Sequence, residues 1–155
     1  DGRDGGTVRG AEAFVRVLER LDVDVVFGLC GDTSLPMYEA LAESESIRHI
    51  LTRDERSASF MADAYARFSG RVGVCEGPSG GGATYILPGV AEANDSSVPV
   101  VCVTSDISVT DRGKGTLTEL DQKALFAPVT KRAFAPQRLL PLEQLKHRVQ
   151  VVVGG

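Results

Sequence analysis

Three short segments of this chain are rich in glycine or in charged side chains, and each directly follows an apolar run. They are residues 28–31 (GLCG), 52–55 (TRDE) and 76–82 (EGPSGGG). Glu55 is the acidic residue among them that could carry acid–base chemistry. The glycines at 80–82 could expose backbone N–H groups to a phosphate at the start of a helix. These segments are the candidates for a ligand site.

Each of these features also has a structural interpretation. No Gly-Lys-Ser/Thr follows the glycine run and no Gly-x-Gly-x-x-Gly occurs after the first apolar run, so neither phosphate-loop pattern is complete. The glycines could simply allow a tight turn and close packing of a helix on a sheet. Glu55 opens a predicted helix, where it could complement the helix dipole by about 0.3–1 kcal/mol, as could Asp54.

The elements around these segments alternate between helices and strands. Apolar residues at helical spacing predict helices at 10–21, 35–42, 57–68 and 83–93, and short apolar runs predict strands at 23–27, 47–51, 72–75 and 99–104. Strands with apolar runs rather than alternation are typical of a parallel sheet covered by helices on both faces, which predicts an α/β fold. A loop at 106–118 and helices at 119–126 and 142–152 follow. Because ligands bind at the carboxyl ends of such strands, we expect the three segments to meet there.

The composition narrows the class of function. The 155 residues fit one domain, with residues 1–7 expected to be a flexible terminus rather than a signal peptide. A net charge of −4 argues against nucleic acid as the partner, and no apolar run is long enough for a membrane span. Three cysteines and two histidines give no zinc, disulfide or triad pattern, which favours a cytoplasmic protein without its own metal site.

Several stretches, in order along the chain, match one family. Residues 8–153 resemble the N-terminal pyrimidine-binding domain of acetolactate synthase-like enzymes that depend on thiamine diphosphate. The resemblance rests on VFGLCG (26–31), RDER (53–56), MADAYAR (61–67), SGGGAT (79–84), SVPV (97–100), ELDQ (119–122) and PVTK (128–131). It implies the pyrimidine-binding form of the thiamine-diphosphate-binding fold.

The resemblance also implies residue roles. Glu55 matches the glutamate that hydrogen-bonds to N1′ of the cofactor's aminopyrimidine ring and promotes removal of the proton from C2 of the thiazolium ring, which burial in an apolar pocket would assist. The other matched positions would approach the ring through their backbone (Leu29, Cys30 and Gly31), line the pocket (Pro78, Ser79 and Tyr85) or face the substrate (Thr118). The chain departs from the family pattern at five positions. Cys30 replaces a proline, Asp54 replaces a histidine, Pro78 replaces a threonine, Tyr85 replaces an asparagine and Thr118 replaces a glutamine. Tyr85 could equally be a helix-packing aromatic residue.

In this family a separate domain holds the diphosphate through Mg²⁺, and its Gly-Asp-Gly…Asn-Asn motif does not occur here. We therefore expect residues 8–155 to be a pyrimidine-binding domain truncated before its last strand, and inactive alone. A diphosphate-binding domain or subunit would complete a homo-oligomeric decarboxylase or carboligase for a small 2-keto acid. The alternatives are a non-catalytic module of the same fold that serves assembly or regulation, and a nucleotide-binding α/β domain.

Overall fold

The computed structural model describes residues 9–134, which form a four-stranded parallel sheet. The strands are β1 (Val25–Gly28), β2 (Arg48–Leu51), β3 (Gly73–Gly77) and β4 (Val100–Thr104), in the order β2-β1-β3-β4. All three strand pairs are parallel, so the carboxyl ends of all four strands lie at one edge. The predicted helix at 142–152 and the terminus at 1–7 lie outside the described residues.

Six α-helices precede, connect or follow these strands in the described part of the chain. They are α1 (Gly10–Arg20), α2 (Leu35–Ala42), α3 (Glu55–Ser69), α4 (Gly81–Tyr85), α5 (Leu87–Asp95) and α6 (Gln122–Phe126). Single 3₁₀ turns occupy Asp32–Ser34, Val109–Asp111 and Ala127–Val129. None of the described helices is long and apolar enough to cross a membrane.

Two predicted helices differ from the observed ones. The segment 83–93 is divided into α4 and α5 around Ile86, because Pro88 has no N–H to donate to the preceding turn. The helix predicted at 119–126 begins only at Gln122. Its first turn is capped by Asp121, whose carboxylate accepts a hydrogen bond of 3.0 Å from the N–H of Ala124. Glu119 instead binds the preceding loop.

Apolar cores lie on both faces of the sheet, which confirms the α/β class with helices on both sides. One core joins α3, α5 and α6 to the sheet and contains Ala58, Ala62, Ala66, Cys75, Ala83, Ile86, Val90, Ala93, Val98, Val100 and Phe126. The other joins α1 and α2 to the sheet and contains Val15, Leu18, Val26, Met37, Ala40, Leu41, Ile47, Val74 and Val101. Side chains of successive strand residues point to opposite faces, so Val74 and Cys75 separate into different cores.

Helix α3 lies unusually close to β3 at Gly73. A β-carbon built on Gly73 would stand 2.0 Å from the carbonyl oxygen of Ala62, a backbone atom in the middle of α3. No residue with a side chain fits this contact unless the helix moves. Gly73 therefore sets the height of α3 over the sheet, and with it the position of the residues at the start of the helix.

One carboxyl group is buried within the sheet. Glu76, the fourth residue of β3, has no solvent exposure, and its side chain lies on the α1/α2 face. Its Oε2 accepts a hydrogen bond of 2.7 Å from the hydroxyl of Tyr38 on α2. Burial raises the pKa of Glu76 to about 7, although the hydroxyls of Tyr38 and Ser34 oppose the rise.

We predict that Gly73→Ala destabilises the chain by about 1–3 kcal/mol or more, because the added methyl group forces α3 away from β3. Urea unfolding followed by circular dichroism measures the loss. Gly81→Ala is the matched control, since a β-carbon at Gly81 meets nothing within 4 Å and its φ is not positive. Equal stabilities of the two variants would contradict the contact.

The buried carboxyl predicts a particular dependence of stability on pH. Because the folded chain keeps the Glu76 proton up to about pH 7 while the unfolded chain releases it near pH 4.5, the contribution of Glu76 to stability falls as pH rises through this window. The free energy of unfolding of Glu76→Gln minus that of the wild type should therefore increase by up to about 3 kcal/mol between pH 4.5 and pH 8. Urea titrations of both proteins at several pH values test this, and parallel curves would refute it.

Candidate functional site

The three predicted segments meet at the carboxyl edge of the sheet. A β-carbon on Gly31, after β1, would lie 2.6 Å from Cβ of Pro78, after β3. A β-carbon on Gly82 would lie 2.5 Å from Cδ of Pro78 and 3.2 Å from Oε1 of Glu55, after β2. The loops therefore pack backbone against side chain with no room for larger residues. We call this place the crevice, defined by Gly31, Glu55, Pro78 and Gly82.

The start of α3 presents the Glu55 carboxylate to the crevice. Asp54 is the N-cap residue, and its carboxylate accepts hydrogen bonds from the N–H groups of Arg56 at 2.7 Å and Ser57 at 3.4 Å. Among the described residues, no group donates a hydrogen bond to the carboxylate of Glu55. Asp54 thus caps α3, and the Glu55 carboxylate is not used in the cap.

Glu55 is only partly buried in residues 9–134. Its Cγ lies 3.5 Å from the β-carbon position of Gly77, and its carboxylate lies against Gly82. One side of the group is therefore covered by glycine backbone and the other is open.

The loop after β1 is fixed by hydroxyl groups. The hydroxyl of Ser34 accepts a hydrogen bond from the N–H of Gly31 and donates one to its carbonyl, both at 3.0 Å. The hydroxyl of Thr33 accepts a hydrogen bond of 3.0 Å from the N–H of Ser79, which joins this loop to the glycine run after β3. Leu29 is partly buried and Cys30 is exposed, so the loop presents both backbone and a free thiol at its surface.

Thr118 packs directly on the glycine run. Its hydroxyl lies 2.7 Å from that of Ser79, and its Cβ would be 2.7 Å from a β-carbon on Gly80. Both Thr118 and Gly80 have positive φ values, 69° and 63°, a conformation that favours glycine at position 80. Threonine rarely adopts such a backbone conformation, and this one is maintained by its contacts at the crevice.

The loop that carries Thr118 is closed by Glu119. The carboxylate of Glu119 accepts hydrogen bonds from the N–H groups of Gly113, Gly115 and Thr116, which lowers its pKa. The end of the loop predicted at 106–118 is therefore fixed by hydrogen bonds from its own N–H groups to the Glu119 carboxylate. This arrangement presents Thr118 toward Ser79.

The sequence left the role of Tyr85 open between pocket lining and helix packing. The side chain stands at the end of α4 and is 59% exposed, so it does not pack in the core. Arg56 lies close enough to interact electrostatically with Tyr85. The guanidinium of Arg56 forms a salt bridge of 2.6 Å with the carboxylate of Asp54. Hydrogen bonds from Arg56 lower the pKa of Asp54 to about 2.

Glu76 belongs to the same edge of the sheet and was not identified from the sequence. It directly precedes Gly77, whose β-carbon position contacts Glu55, and the negative charge of Glu55 adds to the effect of burial in raising the pKa of Glu76. The signal was present in the sequence as a single acidic residue within the apolar run VGVCEG at 72–77. The predicted strand ended at Cys75, which placed Glu76 in a turn.

The described residues contain no group of three or more histidine, cysteine, aspartate or glutamate side chains that could hold a metal ion. Cys30, Cys75 and Cys102 are free thiols, of which Cys75 is buried and Cys102 partly buried. The chemistry available at the crevice is therefore that of a carboxylate, hydroxyls and exposed backbone.

Comparison with known proteins identifies the kind of domain. Residues 8–125 match the family described as "Thiamine pyrophosphate enzyme, N-terminal TPP binding domain". The chain is 41% identical over 138 residues to a probable acetolactate synthase large subunit of Methanococcus aeolicus, an alignment that covers 89% of this chain and 23% of that protein.

Further relatives agree with this result. The acetolactate synthase large subunit of Corynebacterium glutamicum is 43% identical over 125 residues, covering 81% of this chain and 20% of the relative. The isozyme 1 large subunit of Escherichia coli is 36% identical over 136 residues, covering 88% and 24%. The chain spans about a fifth to a quarter of the length of these relatives. With its parallel sheet and the match over residues 8–125, the chain belongs to the N-terminal thiamine-diphosphate-binding domains of thiamine-diphosphate-dependent enzymes.

Proposed function

We propose that this chain is the pyrimidine-binding part of a 2-keto-acid decarboxylase or carboligase of the acetolactate synthase type, with Glu55 as the residue that activates the cofactor. One observation carries the proposal: Asp54 binds the N–H groups at the start of α3, so the Glu55 carboxylate faces the crevice without a hydrogen bond from the described residues. The relatives named acetolactate synthase support the reaction type.

The crevice residues fit the aminopyrimidine end of thiamine diphosphate. The Glu55 carboxyl group would share a proton with N1′ of the ring through a hydrogen bond. The cofactor, when bound, supplies the nucleophilic C2 carbon that attacks a keto group. The backbone of Leu29, Cys30 and Gly31 would lie along the ring, beside Pro78 and Ser79. The exposed Tyr85 would line the same pocket, and Thr118 would stand toward the substrate.

The diphosphate and Mg²⁺ would be held by another domain or subunit. The described residues offer no metal-binding cluster, and the relatives are about four to five times as long as the matched region. Covering the open side of Glu55 with that domain would bury the carboxyl and favour its protonated form, which the proposed proton sharing needs. A homo-oligomer would bring the two parts together between subunits.

The outer surface of α3 supports association with a partner. Phe60, Met61 and Phe68 are 46%, 43% and 93% exposed, and the last two help to line an apolar groove of about 440 Å³. Such exposed apolar surface is typical of protein interfaces. The three free thiols are consistent with our proposal that the enzyme works in the cytoplasm.

In the complete enzyme, we predict that Glu55→Gln slows exchange of the cofactor's C2 proton by about 10²–10⁴-fold, because glutamine keeps the shape but not the titratable proton. Cofactor affinity should change little, since the diphosphate and Mg²⁺ are held elsewhere. Asp54→Asn is the matched control: asparagine still caps α3, so exchange should stay near the wild-type rate. If the Glu55→Gln enzyme exchanged the C2 proton at the wild-type rate, Glu55 would have only a structural role in the first turn of α3.

For the chain alone, we predict no decarboxylase or carboligase activity and weak binding of thiamine diphosphate with Mg²⁺. The residues described supply contacts for the ring but none for the metal. Isothermal titration calorimetry should give a dissociation constant well above about 1 µM, the value that corresponds to roughly −8 kcal/mol. Micromolar binding would mean that this chain itself holds the diphosphate.

A further inference from the structure

The second carboxyl at the crevice edge connects the elements that would hold the pyrimidine ring. Oε2 of Glu76 lies 2.7 Å from the hydroxyl of Tyr38, and Oε1 has no hydrogen-bond partner among the described residues. Ser34 lies beside the same carboxyl and also binds both backbone groups of Gly31. Glu76 is therefore linked through one hydroxyl to the loop 28–31.

This loop is shaped to accept the carboxyl. A β-carbon on Gly28 would lie 3.0 Å from Oε2 of Glu76 and 2.7 Å from the hydroxyl oxygen of Tyr38. Only glycine leaves space for both groups at this position. Glu76 and Tyr38 therefore contact Gly28, the first residue of the segment 28–31. Ser34, beside Glu76, contacts Gly31, the last residue of the segment.

The surroundings of Glu76 contain acids and neutral groups but no cation within the described part of the chain. Tyr38 faces it from α2 and Ser34 from the 3₁₀ turn, while Cys75 and Glu55 lie on the other face of the sheet and are near enough for a charge effect. His49 on β2 reaches it only through Tyr38, whose ring packs edge-on against the imidazole at 4.7 Å, and burial lowers the pKa of His49. A buried carboxyl without a cation retains its proton more readily than an exposed one.

Glu55 and Glu76 are electrostatically coupled across one glycine. Gly77 follows Glu76 directly, and its β-carbon position lies 3.5 Å from Cγ of Glu55. The charge of Glu55 raises the pKa of both Glu76 and Tyr38. Ionisation of either carboxyl therefore makes ionisation of the other less favourable.

We propose that Glu76 is a positioning residue of the crevice, which supports the loop 28–31 through Ser34 and Tyr38 and whose proton is coupled to that of Glu55. The inference rests on the proposed function of Glu55 and adds a second titrating group to it. Above neutral pH an ionised Glu76 helps Glu55 to retain the proton that it would share with the ring. Glu76 itself does not touch the cofactor.

The first test needs only this chain without cofactor. Carboxyl ¹³C NMR of the protein labelled at glutamate Cδ should show one glutamate that titrates near pH 7 and disappears in Glu76→Gln. In Glu55→Gln the midpoint of this signal should fall by at least about 0.3 pH unit, because a nearby negative charge is removed. In Tyr38→Phe it should rise, because a hydrogen bond to the charged form is lost. Glu43→Gln, at the exposed end of α2, is the matched control and should leave it unchanged.

The second test uses the complete enzyme. As pH rises, the rate of C2-proton exchange should fall with a midpoint about 0.3–1 pH unit lower in Glu76→Gln than in the wild type. At neutral pH, the exchange rate should change far less in Glu76→Gln than in Glu55→Gln. A residue with a purely structural role would lower the rate at all pH values without moving the profile.

The outcomes separate this inference from the function on which it rests. An unchanged Glu76 midpoint in Glu55→Gln, or no glutamate that titrates near pH 7, would overturn the coupling and leave the role of Glu55 intact. Wild-type exchange in the Glu55→Gln enzyme would overturn the proposed function, even with the NMR coupling present.

Discussion

The position of every residue at the crevice depends on how closely α3 approaches β3. The carbonyl of Ala62 occupies the space where a side chain of Gly73 would be, so the helix rests on the strand backbone. This contact fixes the first turn of α3 relative to the end of β3, where Glu55 meets Gly77 and Gly82. The parallel register then brings the ends of β1 and β2 to the same edge. The position of Glu55 thus depends on Gly73, which lies on β3 four residues before Gly77, the residue that contacts Glu55.

The fold was accessible from the sequence because its signals are local. Buried parallel strands appear as apolar runs such as VVFG at 25–28, and α3 ends where Gly70 adopts a positive φ. The meeting of the loops also followed from topology, since parallel strands share a carboxyl edge. The assignment of Glu55 depended on the resemblance, because a glutamate in a first helical turn has a common structural role. The structure shows that Asp54 caps α3, which leaves the Glu55 carboxylate without a hydrogen bond from the described residues.

Other features could not be predicted because they are set by tertiary contacts. The hydrogen bonds from three loop N–H groups shorten α6 by giving Glu119 another partner. The positive φ of Thr118 has no sequence signal, since threonine disfavours it, and follows from packing on Gly80. The burial of Glu76 required knowledge that β3 continues to Gly77 and that α2 supplies Tyr38 opposite it. Each case depends on contacts that no local sequence pattern connects.

The two carboxyls illustrate how one sheet edge gives similar groups different properties. Glu55 stands at a helix start, where the dipole favours a negative charge, and faces an opening that another domain would cover. Glu76 lies on the other face of the sheet, fully buried and held by hydroxyls alone, where its neutral form is favoured. Consecutive residues of β3 point to opposite faces of the sheet, so the side chain of Glu76 lies on the α1/α2 face while Gly77 contacts Glu55 on the α3 face. The two carboxyls are therefore separated by a single strand, which is close enough for the charge of Glu55 to act on the buried Glu76 without contact between them.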